Sequence, residues 1–419
     1  MKFKSIKGTK DILPNEVHLW QKAEATIRSV MELYNYKEIR TPVFEDTSLF
    51  TRGIGELTDI VGKEMYTFTD RGGDSVTLKP ELTASVIRAF IQHNLGEQQP
   101  LTKVYYISPA FRQERPQAGR LRQFHQFGAE AIGGANADVD AEMITLSAAI
   151  YQKFGIKEFE VRINSVGCQI CRPGYKEILK SYLSKIADKL SADSQRRLET
   201  NPMRILDSKD ENDRSLTQDV PLMKDHLCAE CKNHFEKLEH ILTQNGVKYI
   251  VDGRIVRGLD YYTKTAYEII SKGLGSQDAL AGGGRYDLLV KELGGKPTPS
   301  VGFAAGIERL LMILEKNENL KSEMPHLKLF LAAADDISRP AVFQNAIILR
   351  NLGISCDVDL LNRSLKAQMR EADRQHADYV VVLGENEIKS NRVMLKNMKN
   401  GTQEEISLKD LPNYLAKDK

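Results

Sequence analysis

The sequence predicts an α+β protein built on a mainly antiparallel sheet with helices packed against it. Three observations predict this fold: two long strand-like segments joined by a polar loop, a mainly helical and polar stretch at about residues 170–250, and strands alternating with helices after residue 326. We therefore expect a large domain over residues 1–325, in which the helical stretch is an insertion. A separate small α/β domain is expected over residues 326–419.

The first segments of the large domain are predicted to be a helix, a short strand and a second helix. Apolar residues spaced three and four apart over residues 16–34 predict one buried helical face. A short strand with Ile39 follows, and Pro42 prevents a helix from continuing there. After a strand over residues 75–79 we expect a helix to open at Pro80, because the donor that proline lacks is unpaired in a first turn anyway.

The two long strand-like segments cover residues 104–111 and 123–132. The polar loop between them predicts that they pair antiparallel. Later strands are predicted at residues 249–251, 266–270 and 279–282, and a helix at residues 306–315. After a polar linker at residues 318–325, the small domain is predicted to have strands near 327–334, 354–360 and 379–384 and a helix near 341–352.

Composition excludes several classes of protein. Hydrophobic residues make up 41% of the chain and charged residues 28%, which is typical of a globular fold rather than a disordered one. No apolar run is long enough to span a bilayer, and the N-terminus lacks the apolar core of a secretory signal, so we expect a cytoplasmic protein with no membrane partner. The net charge of +2 neither indicates nor excludes a nucleic-acid partner.

Polar residues recur on one face of the predicted strand pair. A side-chain period of two puts Gln126, Gly128 and Glu130 on one face of the second strand, and Tyr106 and Arg112 share a face of the first. Such a face is a poor hydrophobic core. The residues alone leave two interpretations open, a solvated sheet face and a polar ligand pocket.

Three further segments are weak signals when each is taken alone. Residues 257–262 combine an Arg-Gly pair with two tyrosines, and residues 282–284 are three glycines in succession. Glycine permits close backbone approach, but these glycines match neither a P-loop nor a dinucleotide fingerprint. Arg309 lies in the first turn of a predicted helix, and its planar fork suits phosphate oxygens. A simple turn or a solvated helix start would explain each segment about as well.

Taken together, these segments resemble the signature motifs of class II aminoacyl-tRNA synthetases. FRQE at residues 111–114, with the loop and RQFHQFGAE, resembles the second motif, VGFAAGIERL resembles the third, and YKEIRTPVFE resembles the first. RGLDYY and AGGGRYD resemble two extra signatures of the histidine-specific family. The motifs occur in order over residues 1–315, and the C-terminal part resembles the family's anticodon-binding domain.

The resemblance implies that arginines hold ATP on the sheet and that Mg²⁺ bridges its phosphates. As catalytic and ATP-binding residues it implies Arg112 at the α-phosphate, Arg309 at the γ-phosphate and Arg257 between the α-phosphate and the substrate carboxylate, with Glu114 also binding ATP. It places the α-amino group of histidine at Glu81, Thr83 and Gln126, and the imidazole at Glu130 and Tyr262. The full set implied for histidine binding is Glu81, Leu82, Thr83, Gln126, Glu130, Tyr261, Tyr262, Gly283, Gly284 and Tyr286, with Arg285 beside them.

The implied reaction joins L-histidine to tRNA(His) through a histidyl-adenylate and releases AMP and diphosphate. The resemblance also implies a homodimer and a loop, residues 113–122, whose Arg115, Arg120 and Arg122 meet the acceptor end of the tRNA. One alternative is a non-catalytic regulatory paralogue in histidine biosynthesis, which usually lacks the anticodon-binding domain and key site residues. A class II synthetase for another amino acid is the second alternative, and residues 257–262 disfavour it.

The cysteines form a separate pattern. Cys168 and Cys171 make one C-x-x-C pair, and Cys228 and Cys231 make another. Four thiolates could hold a tetrahedral Zn²⁺. The long gap between the pairs is unlike an ordinary zinc ribbon, and the resemblance requires no metal here. Reduced thiols in a helical insertion are therefore the expectation, with a structural Zn²⁺ as the alternative, and Cys356 is expected to be a strand residue of the small domain.

Overall fold

We describe a computed structural model of the chain over residues 3–55, 58–116, 119–271, 279–316 and 327–417. These residues belong to two compact units, Met1–Ser322 and Glu323–Lys419. Each unit has its own sheet and its own hydrophobic core, and each is described by itself. The predicted linker at residues 318–325 lies outside the described residues.

The large unit combines strands with helices on both sides of its main sheet. Its strands are β1 (Lys37–Glu38), β2 (Phe44–Asp46), β3 (Tyr66–Thr69), β4 (Ser75–Leu78), β5 (Thr102–Phe111), β6 (Gln123–Ile132), β7 (Glu160–Ser165), β8 (Tyr249–Val251), β9 (Thr263–Ile270), β10 (Ala279–Arg285) and β11 (Ser300–Gly306). Its α-helices are α1 (Pro14–Leu33), α2 (Thr47–Ile54), α3 (Thr83–Gln92), α4 (Leu95–Gln98), α5 (Ala137–Lys153), α6 (Cys171–Ser184), α7 (Ala192–Thr200), α8 (Glu211–Leu216), α9 (Ala229–Gln244), α10 (Leu289–Glu292) and α11 (Ile307–Lys316). Short 3₁₀ turns occupy Ala187–Lys189, Pro202–Ile205 and Met223–His226, and a π-turn occupies Ile60–Glu64.

In the described part of the large unit, eight strands form one sheet in the order β1-β5-β6-β11-β10-β9-β7-β8. The pairs β1/β5 and β7/β8 are parallel and the other neighbours are antiparallel, so the mainly antiparallel sheet is confirmed. The β5–β6 pair and the helical insertion between β7 and β8 are also as predicted. A small sheet of β2, β4 and β3 lies apart from the main one.

The two faces of the main sheet have different surroundings. One face packs against α1, α5, α9 and α11 in a core that includes Ile27, Ile144 and Leu238. In β6 the side chains of Phe127, Ala129 and Ala131 belong to that core, because successive residues of a strand point to opposite faces. The residues between them therefore face the other side of the sheet.

Helix α3 begins at Thr83, so the prediction that it opens at Pro80 is wrong. The reason is the buried carboxylate of Glu81, which accepts hydrogen bonds from the backbone N–H groups of Thr83 and Ala84 at 2.8 Å. These N–H groups have no partner inside the helix, and an acidic side chain just before the first turn satisfies them. The proline therefore precedes the helix.

The small unit carries a five-stranded sheet in the order β13-β12-β14-β15-β16 among its described residues. Its elements are β12 (Leu329–Ala333), α12 (Arg339–Asn351), β13 (Cys356–Val358), α13 (Leu365–Arg374), β14 (Tyr379–Leu383), α14 (Glu385–Ser390), β15 (Arg392–Asn397), β16 (Gln403–Ser407) and α15 (Leu411–Lys417). The alternation of strands and helices follows the prediction up to β14. The antiparallel hairpin β15–β16 was not predicted. Across both units, no described helix has the length and apolar character that crossing a bilayer requires.

Candidate active site

Small residues line the open face of the main sheet. The register aligns Gly128 of β6 with Ala304 of β11, and Ala304 with Gly282 of β10. In the next aligned row, Gly302 lies between Glu130 and Gly284. Residues paired across antiparallel strands share a face, so these four glycines and Ala304 make a floor whose own side chains are small or absent. Neighbouring side chains enter the space above it: Tyr106 lies over Gly128, Arg257 over Gly282 and Glu130 over Gly302.

Glu130 is a carboxylate buried beside this floor. It accepts hydrogen bonds from the hydroxyls of Thr83 at 2.8 Å, Tyr106 at 3.3 Å and Tyr286. Burial raises the pKa of Glu130 to about 8, although its hydroxyl donors act in the opposite direction. Three donors directed at one buried carboxyl fix its position.

The position of Glu130 requires a glycine at Gly302. A Cβ added to Gly302 would overlap the carboxylate of Glu130, which lies over this residue. The Glu130 carboxylate cannot move aside, because the hydroxyls of Thr83, Tyr106 and Tyr286 donate hydrogen bonds to it.

Gly302→Ala should therefore displace Glu130 and cost about 1–3 kcal/mol of stability through overpacking. We expect catalytic activity to fall sharply in the same variant. The control is Gly174→Ala, because a Cβ on that helical glycine meets no atom within 4 Å. Thermal unfolding and activity measured side by side test this, and an active Gly302→Ala protein would mean that the Glu130 carboxylate is free to move.

Tyrosines form one wall of the site. The rings of Tyr261 and Tyr262 lie 4.8 Å apart between centroids, and Tyr261 meets Tyr286 edge-on at 5.5 Å. The guanidinium of Arg257 lies over the ring of Tyr262 at 5.4 Å. The predicted site residues Tyr261, Tyr262 and Tyr286 are thus brought together next to Glu130.

Arg257 reaches across the floor from the loop before β9. Its Nη1 pairs with Glu268 Oε1 at 2.7 Å, and its guanidinium occupies the space that a side chain at Gly282 would need. Burial disfavours its charge, but Tyr262 and Glu268 outweigh burial and raise the pKa of Arg257. Its buried Nε has no hydrogen-bond partner among the described residues. An unsatisfied buried donor on a permanent cation costs about 1–3 kcal/mol unless an acceptor binds there.

Gln126 adds an acceptor on the same face. Its Oε1 is buried and has no hydrogen-bond partner within the described part of the chain. The register places Gln126 opposite Ser108 of β5 and Gly306 of β11. An ammonium group of a ligand would satisfy this oxygen.

A second group of arginines lies at the ends of β5 and β11. Arg112 donates from Nε to the carbonyl of Pro80 at 2.9 Å and lies over the ring of Phe124. One carboxylate oxygen of Glu114 lies 3.8 Å from Nη1 of Arg112, and the other lies 3.1 Å from Nη1 of Arg120. Arg309 donates to the carbonyl of Ala279 at 2.8 Å.

The charges in this second group repel one another. Burial lowers the pKa of Arg309, and the nearby Arg120 and Arg112 lower it further, while Glu114 opposes them. An excess of guanidinium groups over carboxylates at one place favours an anion with several negative charges. In the loop after β5, Arg122 also reaches the carbonyl of Glu114, and residues 117 and 118 of that loop lie outside the described residues.

Two predicted pocket residues point the other way. A Cβ on Gly283 would meet Tyr267 and Phe303 on the core face, and the fully buried Arg285 pairs with Asp140 there. Gly283 and Arg285 occupy the positions of β10 that face the core, whereas the prediction placed them at one side of the pocket. Gly282 and Gly284 are the glycines of this run that face the site. The sequence pattern did not predict the contacts of Tyr106 with Glu130 and of Glu268 with Arg257, or the need for a glycine at Gly302.

The four paired cysteines lie in the large unit next to this wall. Cys168 precedes α6, and Cys171 is the first residue of that helix. Cys228 immediately precedes α9, and Cys231 lies in its first turn. Their sulfur atoms all lie within 4.8 Å of one another. The fold therefore gathers two pairs that are distant in sequence. Cys356 is a buried strand residue of β13 in the small unit, as predicted.

An antiparallel sheet that carries arginines instead of a P-loop, together with an anticodon-binding domain, defines a class II aminoacyl-tRNA synthetase. The family model described as histidyl-tRNA synthetase matches residues 8–310, and the one described as anticodon binding domain matches residues 339–418. The chain belongs to the histidyl-tRNA synthetase family.

Curated relatives and solved structures agree with this assignment. A histidine–tRNA ligase of Caldanaerobacter subterraneus subsp. tengcongensis is 51% identical over 97% of this chain and 98% of the relative. One of Halothermothrix orenii is 48% identical over 100% of both chains. The crystal structure of apo Staphylococcus aureus histidyl-tRNA synthetase covers 99% of this chain and 100% of its own, with a TM-score of 0.83 and 38% identity. A Bacillus halodurans structure titled as an ATP phosphoribosyltransferase regulatory subunit/histidyl-tRNA synthetase is 22% identical with a TM-score of 0.66, so it shows the fold alone.

Proposed function

We propose that this chain ligates L-histidine to tRNA(His) in two steps. ATP and histidine first give histidyl-adenylate and diphosphate, and the terminal ribose of the tRNA then takes the histidyl group and releases AMP. The observation that carries this proposal is a pair of buried, unsatisfied groups on the open sheet face, the Nε donor of Arg257 and the Oε1 acceptor of Gln126. An amino acid supplies the carboxylate and the ammonium that satisfy both.

Histidine would lie with its imidazole toward Glu130 and the tyrosine wall. A neutral imidazole offers one donor and one acceptor, which a carboxylate and the phenol of Tyr262 can match. Gln126 and the buried carboxylate of Glu81 are the acceptors proposed for the α-amino group. Thr83 donates to Glu130 and thereby orients the carboxylate, so we assign it that role rather than direct binding of the amino group.

ATP would lie over the floor of small residues with its phosphates toward the arginines. Arg112 and Arg257 would hold the α-phosphate and Arg309 the γ-phosphate. Mg²⁺ takes carboxylate and phosphate oxygens, and Glu114, which lies between Arg112 and Arg120, supplies a carboxylate where the phosphates would be. When bound, the ion would neutralise phosphate charge as diphosphate leaves. Arg257 would stabilise the negative charge that develops as the carboxylate attacks.

The tRNA would contact both units. We propose that the small unit reads the anticodon, and that Arg115, Arg120 and Arg122 in the loop after β5 position the acceptor end through phosphate contacts. A homodimer in the cytoplasm is the arrangement that family membership favours.

ATP–pyrophosphate exchange measured with each amino acid in turn tests the proposal. Exchange driven by histidine alone, followed by transfer of labelled histidine to tRNA(His), is the expected result. The absence of exchange with every amino acid would favour a regulatory paralogue instead. Exchange driven by another amino acid would show that the specificity is misassigned.

Binding of histidine should strengthen as pH rises through the pKa of Glu130. Burial raises that pKa to about 8, so below this pH the free site holds mostly the protonated form. An imidazole N–H donates its strongest hydrogen bond to the ionised carboxylate. The hydroxyls of Thr83, Tyr106 and Tyr286 donate to the same carboxylate. We therefore expect the KM for histidine to fall by up to about tenfold between about pH 7 and pH 8.5.

The matched control for this pH effect is Glu130→Gln, whose amide does not titrate in this range. We expect weaker binding in that variant and a flat pH profile for the KM of histidine. Identical profiles in the two proteins would show that another group titrates.

A further inference from the structure

The sulfur atoms of Cys168, Cys171, Cys228 and Cys231 all lie within 4.8 Å of one another. Cys168 Sγ lies 3.8 Å from both Cys171 Sγ and Cys228 Sγ, and Cys171 Sγ lies 3.9 Å from Cys231 Sγ. A tetrahedral Zn²⁺ with Zn–S bonds of about 2.3 Å holds its sulfur atoms about 3.8 Å apart. A disulfide needs about 2.05 Å, so none of these pairs is bonded.

Backbone N–H groups are directed at two of the sulfur atoms. The N–H of Cys168 donates to Cys171 Sγ at 3.2 Å, and the N–H of Ile170 donates to Cys168 Sγ at 3.4 Å. Cys171 is the first residue of α6, and Cys228 immediately precedes α9, so both pairs lie at the positive ends of helices. Hydrogen bonds from backbone N–H groups to sulfur are typical of the surroundings of metal-bound cysteines.

We propose that these four cysteines bind one structural Zn²⁺. Cys171 and Cys231 are buried and Cys168 and Cys228 are partly buried, so the site is closed, with no position left for water. Zinc binding would release the thiol protons. The ion would join the beginning of the helical insertion to its last long helix, and thereby fix the two ends of a long chain segment.

Hydrogen bonds connect the proposed zinc site to Tyr262 in the tyrosine wall. A role of the zinc site in positioning Tyr262 for histidine rests on the proposed function. Arg172, the residue after Cys171, donates to the backbone carbonyls of Val166, Gly167 and Tyr262. Lys264 at the start of β9 donates its N–H to Gly167, and its ammonium pairs with Glu230 between Cys228 and Cys231. The zinc ligands are therefore positioning residues for Tyr262.

Metal analysis of the full-length protein, purified without chelators, tests the site independently of activity. The expected result is about one zinc per chain. After removal of zinc under reducing conditions, added Co²⁺ should give the ligand-field bands of a tetrahedral cobalt thiolate. Stoichiometric iron with an iron–sulfur spectrum would overturn the proposal. So would protein that contains no zinc and takes up neither zinc nor cobalt when they are added.

Variants then separate ligation from general damage to the fold. Cys228→Ala should lose bound zinc, whereas Cys228→His should retain it because imidazole is also a zinc ligand. Cys356→Ala, in the small unit, is the control and should leave the zinc content unchanged. We expect Cys228→Ala to raise the KM for histidine about tenfold and to change kcat less. Full zinc content in Cys228→Ala would exclude these ligands. Zinc without histidine-dependent exchange in the unmodified protein would refute the proposed function and leave the metal site intact.

Discussion

Arg257→Ala is expected to lower the rate of histidyl-adenylate formation by about 10²–10³-fold, which corresponds to about 2.7–4 kcal/mol of barrier. The guanidinium is already held in place by Glu268 at 2.7 Å and by the ring of Tyr262, so it needs no reorganisation when charge develops on the reacting oxygens. Its buried Nε still lacks an acceptor among the described residues. Single-turnover formation of the adenylate measures the loss.

The neighbouring Arg254→Ala is the matched control. Arg254 belongs to the same loop, but it donates to the carbonyl of Thr217 in the insertion rather than facing the sheet. We expect that variant to keep near-normal activity. Arg257→Lys should recover part of the rate, because an ammonium keeps the charge but loses the planar fork.

Histidine binding by Arg257→Ala should survive in part, since Glu130 and Gln126 are untouched, and calorimetry with histidine alone measures it. Near-normal adenylate formation in Arg257→Ala would refute the electrostatic role of this residue. A variant that binds no histidine would place its main contribution in substrate binding.

The period of two in long strands predicted much of this site. The bounds of β6 follow from the alternation of its residues, and the same alternation put Gln126, Gly128 and Glu130 on one face. Applied to β10, the same rule separates Gly282 and Gly284 from Gly283 and Arg285. The alternation therefore already indicated that Gly283 and Arg285 share the core face.

Other features depend on contacts that no local pattern encodes. Tyr286, the residue after β10, reaches Glu130 of β6 across β11, and the pairing of these three strands joins segments far apart in the chain. The long spacing between the two C-x-x-C pairs argued against zinc, yet the fold brings the starts of α6 and α9 together, so that the four sulfur atoms lie within 4.8 Å of one another. The missed hairpin β15–β16 did have a local signal, Asn400-Gly401, a dipeptide that favours tight turns.

Asp140→Ala is expected to destabilise the large unit by about 3–5 kcal/mol, the typical cost of leaving one partner of a buried ion pair without the other. The side chains of Asp140 and Arg285 are both 0% exposed and pair by two nitrogens of the guanidinium. His234 of α9 lies 3.4 Å from the same carboxylate. Asp140 therefore connects α5 with β10 and with α9 of the insertion, on the core face of the main sheet.

Tryptophan fluorescence during urea unfolding reports this loss specifically, because the chain has a single tryptophan, Trp20, in α1 of the large unit. Asp193→Ala is the control: that carboxylate is 51% exposed and pairs on the surface, so we expect at most about 1 kcal/mol. A small effect of Asp140→Ala would mean that water reaches the pair.

A double variant tests whether the cost comes from the charge left behind. Asp140→Leu combined with Arg285→Met removes both charges, and apolar replacements of buried ion pairs are often nearly neutral. Recovery here should be partial, because Arg285 also donates to the carbonyls of Gly134 and Asn136, which would lose their donor. A double variant less stable than Asp140→Ala would show that the contacts of Arg285 with those carbonyls and with Asp287 contribute more than its pair with Asp140.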